Sequence, residues 1–114
     1  MLTLYGIPSC DSCRKARKWL DANAIAYRFH NLRADCVDDD MLERWLAAVD
    51  WKALLNTRST TWRGLAAGDR TDLDRQRASQ LMLAHPTLIK RPVAESGKTV
   101  LVGFSAESYA DFAS

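Results

Sequence analysis

Two thiols, Cys10 and Cys13, stand three positions apart in the run Gly6-Ile7-Pro8-Ser9-Cys10-Asp11-Ser12-Cys13. A short apolar stretch, Leu2-Thr3-Leu4-Tyr5, precedes them, and Arg14-Lys15-Ala16-Arg17-Lys18-Trp19-Leu20 follows with helical character. The pair therefore falls where a strand turns into a helix. A thiol at that place lies near unpaired backbone N–H groups and the positive end of the helix dipole. Such a thiol has a lowered pKa and acts as a thiolate at neutral pH. Cys10, at or just before the helix start, is the expected nucleophile. Cys13, in the first turn on the inner face, is the expected resolving thiol and can close a redox disulfide with Cys10. Its alternative is plain core packing, since free cysteine is often buried. Nearby charge pulls both ways: Arg14, Lys15 and Arg17 favour the thiolate, and Asp11 opposes it.

Arg91, followed by Pro92, is the second place with chemistry. An X-Pro bond at a strand start is a candidate cis peptide. An arginine there can hold an oxyanion or a carboxylate in bidentate fashion. Thr57-Arg58-Ser59-Thr60-Thr61 is rich in donors and carries one cation. It either completes an anion site with Arg91 or is a solvated loop, and Lys90 either assists or is solvated. Cys36, in a polar stretch, reads as an incidental loop cysteine rather than a distant resolving thiol. His30 and His85 do not supply the paired ligands of a zinc site, so no metal is expected. The tryptophans Trp19, Trp45, Trp51 and Trp62 read as packing residues, without a nucleic-acid role.

These residues need a scaffold, and 114 residues suffice for one domain with a real core. A hydrophobic share of 47% and a charged share of 26% fit a soluble globular chain. The net charge of +2 makes no case for nucleic acid or a membrane surface. No apolar run approaches the roughly 20 residues of a membrane span, and no signal peptide is apparent. Three cysteines are too odd a set for a disulfide framework. A cytoplasmic location, transient disulfides and a monomer are expected.

Leu2 to Tyr5 predicts a buried strand, and Asp11 or Ser12 can cap the helix after it. That helix presents Cys13, Ala16, Trp19 and Leu20 on one face and closes at Asp21-Ala22-Asn23. Ile25 to Phe29 predicts a second strand, giving a β-α-β start with a parallel pair. An acidic helix start at Asp38-Asp39-Asp40 leads into Met41, Leu42, Trp45, Leu46 and Val49 at helical spacing. Trp51 to Leu55 is a short helical piece, Asn56 to Thr61 a polar loop, and Thr71 to Ala84 another helix. Arg91-Pro92 opens a strand through Glu95. Ser96-Gly97-Lys98 is a tight turn, Thr99 to Val102 the returning strand, and Ser105 caps a last helix to Phe112. The fold class is α/β: β-α-β, a helical insert at about 36–86, then β-β-α. Without the insert this is the order of a thioredoxin-like mixed sheet, in which the strand start at Arg91 faces the active cysteine.

Gly6-Ile7 before Cys10, Lys15-Ala16-Arg17, Thr57-Arg58-Ser59, Leu88-Ile89-Lys90-Arg91-Pro92-Val93 and Leu101-Val102-Gly103-Phe104 together resemble the ArsC/Spx/YffB family, most of all its small bacterial YffB branch. The resemblance spans nearly the whole chain and implies a thioredoxin-like ArsC-type domain over 1–114. Arsenate reductases of this type attack arsenate with one cysteine, hold the oxyanion with arginines, and complete the cycle with glutathione and glutaredoxin. Cys10 matches the nucleophile, Arg91 the arginine before proline, and Arg58 lies near another arginine position. With Pro92 these imply a substrate-binding set. A further family arginine on the last strand has no counterpart in Val100-Leu101-Val102-Gly103, which weakens the arsenate branch. Spx regulators share the Cys-x-x-Cys and Thr-Arg-Ser segments, bind the RNA polymerase alpha subunit, and use the disulfide as a switch. This chain ends soon after its final helix, without a longer tail. The YffB branch commonly lacks the second cysteine, so Cys13 is a departure. The resemblance implies a glutathione-dependent thiol-disulfide reductase with no bound cofactor and glutathione as co-substrate. The alternatives are an Spx-like redox switch, a true arsenate reductase, and a family member retained only as a binding module.

Overall fold

The computed structural model describes residues 2–35 and 37–113; Cys36 lies outside the described residues. The backbone falls into two units, Met1–Asp35 with Arg91–Ser114, and Cys36–Lys90.

The first unit is built on a four-stranded sheet ordered β2-β1-β3-β4, comprising β1 (Leu2–Gly6), β2 (Tyr27–Asn31), β3 (Val93–Ser96) and β4 (Thr99–Val102). β1 pairs in parallel with β2 and antiparallel with β3, and β3 forms a hairpin with β4. This is the thioredoxin-like mixed sheet expected from the element order. The helix α1 (Asp11–Ala22) supplies the parallel crossover, and α6 (Ala106–Ala113) closes the chain. Leu2 and Leu4 of β1 and Ala94 of β3 form a buried cluster with Ala16 and Leu20 of α1 and Tyr109 of α6. Alternation along β1 sends Tyr5 to the other face. There the Tyr5 hydroxyl donates to the buried carboxylate of Glu95 at 2.9 Å.

Two local details depart from the sequence-based expectation. Neither Asp11 nor Ser12 caps α1; Cys10 itself is the N-cap, in extended backbone and without a side-chain cap bond. The second strand runs Tyr27–Asn31 rather than Ile25 to Phe29. Its start is delayed because α1 ends in a Schellman motif. The Ile25 N–H donates to the Leu20 carbonyl at 3.0 Å, the Ala24 N–H to Asp21 at 3.2 Å, and Ala24 is left-handed with φ 56°. In the hairpin Gly97 takes φ 58°, the left-handed turn conformation that glycine adopts without penalty.

The second unit is helical. Its helices are α2 (Asp39–Ala48), α3 (Trp51–Leu54), α4 (Thr60–Gly64) and α5 (Arg75–Ala84), with 3₁₀ turns at Ala67–Asp69 and Pro86–Leu88. Each helix start is held by a side chain accepting from the backbone: Asp38 from Met41, Asp50 from Lys52, Ser59 from Trp62 and Asp74 from Arg77. The Ser59 cap turns the end of the expected polar loop into α4. The expected helix from Thr71 begins only at Arg75, since Asp72 has φ 53° and Asp74 takes the cap. Leu55 bridges Ile89, and Lys90 N–H donates to Leu54 at 2.7 Å. Among the described residues no helix is long and apolar enough to cross a membrane.

Candidate thiol site

The loop after β1 turns tightly, with Cys10 N–H donating to the Ile7 carbonyl at 3.0 Å. The chain then enters α1, whose first bond runs from Arg14 N–H to the Cys10 carbonyl at 3.0 Å. Cys10 therefore sits on the helix N-terminus half-exposed, and Cys13 lies one turn on, fully buried. Both are free thiols. Gly6 closes the site from β1. A Cβ built there would collide with Cys13 Sγ and come within 3.3 Å of Cys13 Cβ.

The electrostatics separate the two thiols. Partial burial acts to raise the Cys10 pKa, but hydrogen bonds from the Cys13 N–H, the Arg91 side chain and the Cys13 thiol outweigh it, helped by the Arg91 charge. The net shift is downward, toward thiolate. Cys13 is pushed up to about 11, chiefly by burial and then by its bond to Cys10 and the Cys10 charge, against a hydrogen bond from the Ile7 N–H. The two shifts run in opposite directions, so Cys10 is the thiol that ionises first and Cys13 the buried donor beside it.

Arg91 comes into the site through a cis peptide bond to Pro92. Pro92 is fully buried, and its carbonyl accepts from Gly103 N–H at 2.8 Å. Two basic residues of α1, Arg14 and Arg17, are engaged elsewhere. Arg14 is ion-paired with Asp11 on the surface. Arg17 donates to the Tyr27 hydroxyl at 3.2 Å, and its guanidinium lies 4.3 Å above the centre of the Phe29 ring. The cation that acts on Cys10 is therefore Arg91, from the far end of the sequence, rather than the adjacent Arg14, Lys15 or Arg17.

Arg58 belongs to the second unit, where its side chain is exposed. The hydroxyls around it are committed locally: Ser59 caps α4, and Thr61 shares a hydrogen bond of 2.6 Å with Thr87. Lys90 is exposed. Three groups around the thiols escaped sequence reasoning: Gly6 as the space for Cys13, the Ile7 N–H as a donor to it, and Tyr109. The Tyr109 ring is 1% exposed, and its pKa is raised by burial and then by the Cys13 charge. A glycine at the end of an apolar strand was the one available signal for Gly6.

A family model described as the ArsC family matches residues 5–112. The solved structure of a protein named YFFB is 46% identical with a TM-score of 0.94, covering 97% of each chain. An arsenate reductase (ArsC) related protein from Brucella melitensis is 40% identical with a TM-score of 0.77, over 97% of this chain and 92% of the other. The global transcriptional regulator Spx of Listeria innocua is 32% identical over 114 residues, 98% of this chain and 86% of Spx.

Proposed function

The chain belongs to the ArsC family, and from that premise we propose that it is a thiol-disulfide oxidoreductase with Cys10 as nucleophile and glutathione as its thiol co-substrate. One observation carries this reading: Cys10 sits half-exposed on a helix N-terminus with its pKa lowered, receiving hydrogen bonds from Arg91 and Cys13. Thiolate character and access are what thiol–disulfide exchange requires. The Cys10 thiolate attacks one sulfur of a disulfide, the other sulfur leaves with the electron pair, and a mixed disulfide forms at Cys10. Cys13 or glutathione then attacks the Cys10 sulfur, the bond to the substrate sulfur breaks, and the reduced product leaves as a thiolate, with a disulfide left on Cys10. Glutaredoxin or further glutathione returns the protein to the dithiol. Arg91 holds an anionic group of the substrate, with Pro92 fixing the backbone at Arg91.

Arsenate reduction is the less favoured branch within this class, because β4 supplies Thr99-Val100-Leu101-Val102 and no arginine. The deciding assay is turnover of a small disulfide, and separately of arsenate, with glutathione and glutaredoxin. Cys10-dependent disulfide turnover supports the reading. Full activity in Cys10→Ser sinks it, and arsenate turnover of equal rate moves the assignment to that branch.

The hydrogen-bonded dithiol together with the 32% identity to Spx favours a second reading, a redox switch without turnover. It predicts capture of the RNA polymerase alpha subunit by the purified chain, altered when Cys10 and Cys13 are oxidised. Equal absence of capture in both redox states removes it. Either activity would be exerted in the cytoplasm, where thiols are kept reduced.

A further inference from the structure

Arg91 reaches Cys10 from a backbone that is anchored on either side of it. Before it, the Lys90 N–H donates to the Leu54 carbonyl at 2.7 Å within the helical unit. After it, the Pro92 carbonyl accepts from the Gly103 N–H at 2.8 Å within the sheet unit. Of the two, the second ties Arg91 to the unit that holds Cys10. It also lies past the sheet ladders, which end at Val93, opposite Tyr5 on one edge and Val102 on the other. The Gly103 bond is thus the first backbone anchor that follows Arg91.

Gly103 makes that bond from an unusual backbone. Its φ is 82°, a region that L side chains rarely adopt. Room is not the reason for glycine, since a Cβ built there meets no atom within 4 Å. Conformation is the reason. It ends β4 and turns the chain, and the next residue, Phe104, packs edge-on against Tyr109 at 4.9 Å beside the buried cluster. Gly103 is therefore fixed to the core on one side and gives its N–H to Pro92 on the other.

We propose that Gly103 is a positioning residue for the thiol chemistry: its left-handed backbone aims the N–H at the Pro92 carbonyl and so holds Arg91 in line with the Cys10 sulfur. This role rests on the reading of Arg91 as the cation that supports the Cys10 thiolate. A glycine that served only to end β4 would affect stability and leave the thiol as it is.

The pH midpoint of Cys10 alkylation tests the role, followed by mass spectrometry of the Cys10 peptide from the full-length chain. A Cβ at this φ is strained, so Gly103→Ala draws the N–H off the carbonyl and loosens Arg91. The midpoint is expected to rise by about 0.5–1 unit. In an Arg91→Met background the same substitution should leave the midpoint where Arg91→Met alone puts it. Asparagine enters the left-handed region more readily than alanine, so Gly103→Asn should give a smaller shift in the same direction. It carries the test if urea unfolding shows that Gly103→Ala does not fold. A folded variant with the wild-type midpoint overturns the role. So does a shift that persists undiminished in the Arg91→Met background. If Arg91→Met itself leaves the midpoint unmoved, the reading of Arg91 fails and the role of Gly103 fails with it.

Discussion

The sulfur of Cys13 occupies the space that a side chain at residue 6 would need. Only glycine at that position lets α1 seat its first turn against β1 with a thiol between them. Gly6→Ala is therefore expected to destabilise the fold by about 1–3 kcal/mol through overpacking and to displace Cys13 from Cys10. In a Cys13→Ala background the sulfur is gone, and the same change should be felt much less. Urea unfolding of the two single variants and the double variant measures the coupling. Additive effects would show that Gly6 and Cys13 do not compete for one space.

Arg91 should control the reactivity of Cys10, and the cations of α1 should not. Arg91→Met removes a hydrogen bond and a positive charge that favour the thiolate, so the pH midpoint of Cys10 alkylation rises. Arg14→Ala should leave that midpoint in place, because Arg14 is engaged with Asp11. Loss of charged hydrogen bonds to an anionic substrate group lowers kcat/KM in Arg91→Met by roughly 10- to 100-fold. A midpoint that follows Arg14 instead would reverse the assignment.

The two thiols affect stability with opposite signs. Cys13 has a folded pKa of about 11 against an unfolded value of 9.0. Its contribution is therefore fully present below pH 9.0 and is lost as pH rises toward about 11. Cys10 has a lowered folded pKa, so its contribution is present above the unfolded value and is lost as pH falls through the folded one. Comparing wild type with Cys13→Ala from pH 8 to 11, the wild type should lose about 2 kcal/mol more stability over this interval. Parallel curves for the two proteins would remove the buried thiol as the cause.

The parts of this fold that were legible in the sequence are those fixed by neighbours in the chain. Cys10 and Cys13 are three positions apart on one helix start, so spacing alone joined them. Arg91-Pro92 was readable as a strand entry for the same reason, and the hairpin turn at Gly97 followed from local residue types. Contacts made by topology were not legible. Tyr109 reaches the core beneath α1 only because α6 folds back on the sheet, and nothing in its own segment marks it. The basic run after Cys13 invited an electrostatic role, yet Arg17 is held by Tyr27 and Phe29 of β2. Helix starts failed by a few residues wherever a better cap stood downstream, as Asp74 does after Asp72. For Arg58, sequence supplied a family position, and the local structure adds that Ser59 and Thr61 are already occupied.

The end of α1 offers a change that should stabilise the protein without touching the site. Ala24 occupies the left-handed position of the Schellman motif with φ 56°, a conformation disfavoured by the clash of Cβ with the backbone. The motif is otherwise complete: both backbone bonds are made, and Ile25 packs against the cluster that contains Leu20. Glycine would relieve the clash and raise the entropy of the unfolded chain, two effects of opposite sign. Relief is the larger here, because the conformation is already imposed by two hydrogen bonds and an apolar contact. Ala24→Gly is expected to raise unfolding stability by about 0.5–1 kcal/mol with Cys10 alkylation unchanged. A lower urea midpoint in the variant would mean that chain entropy outweighs the strain at this cap.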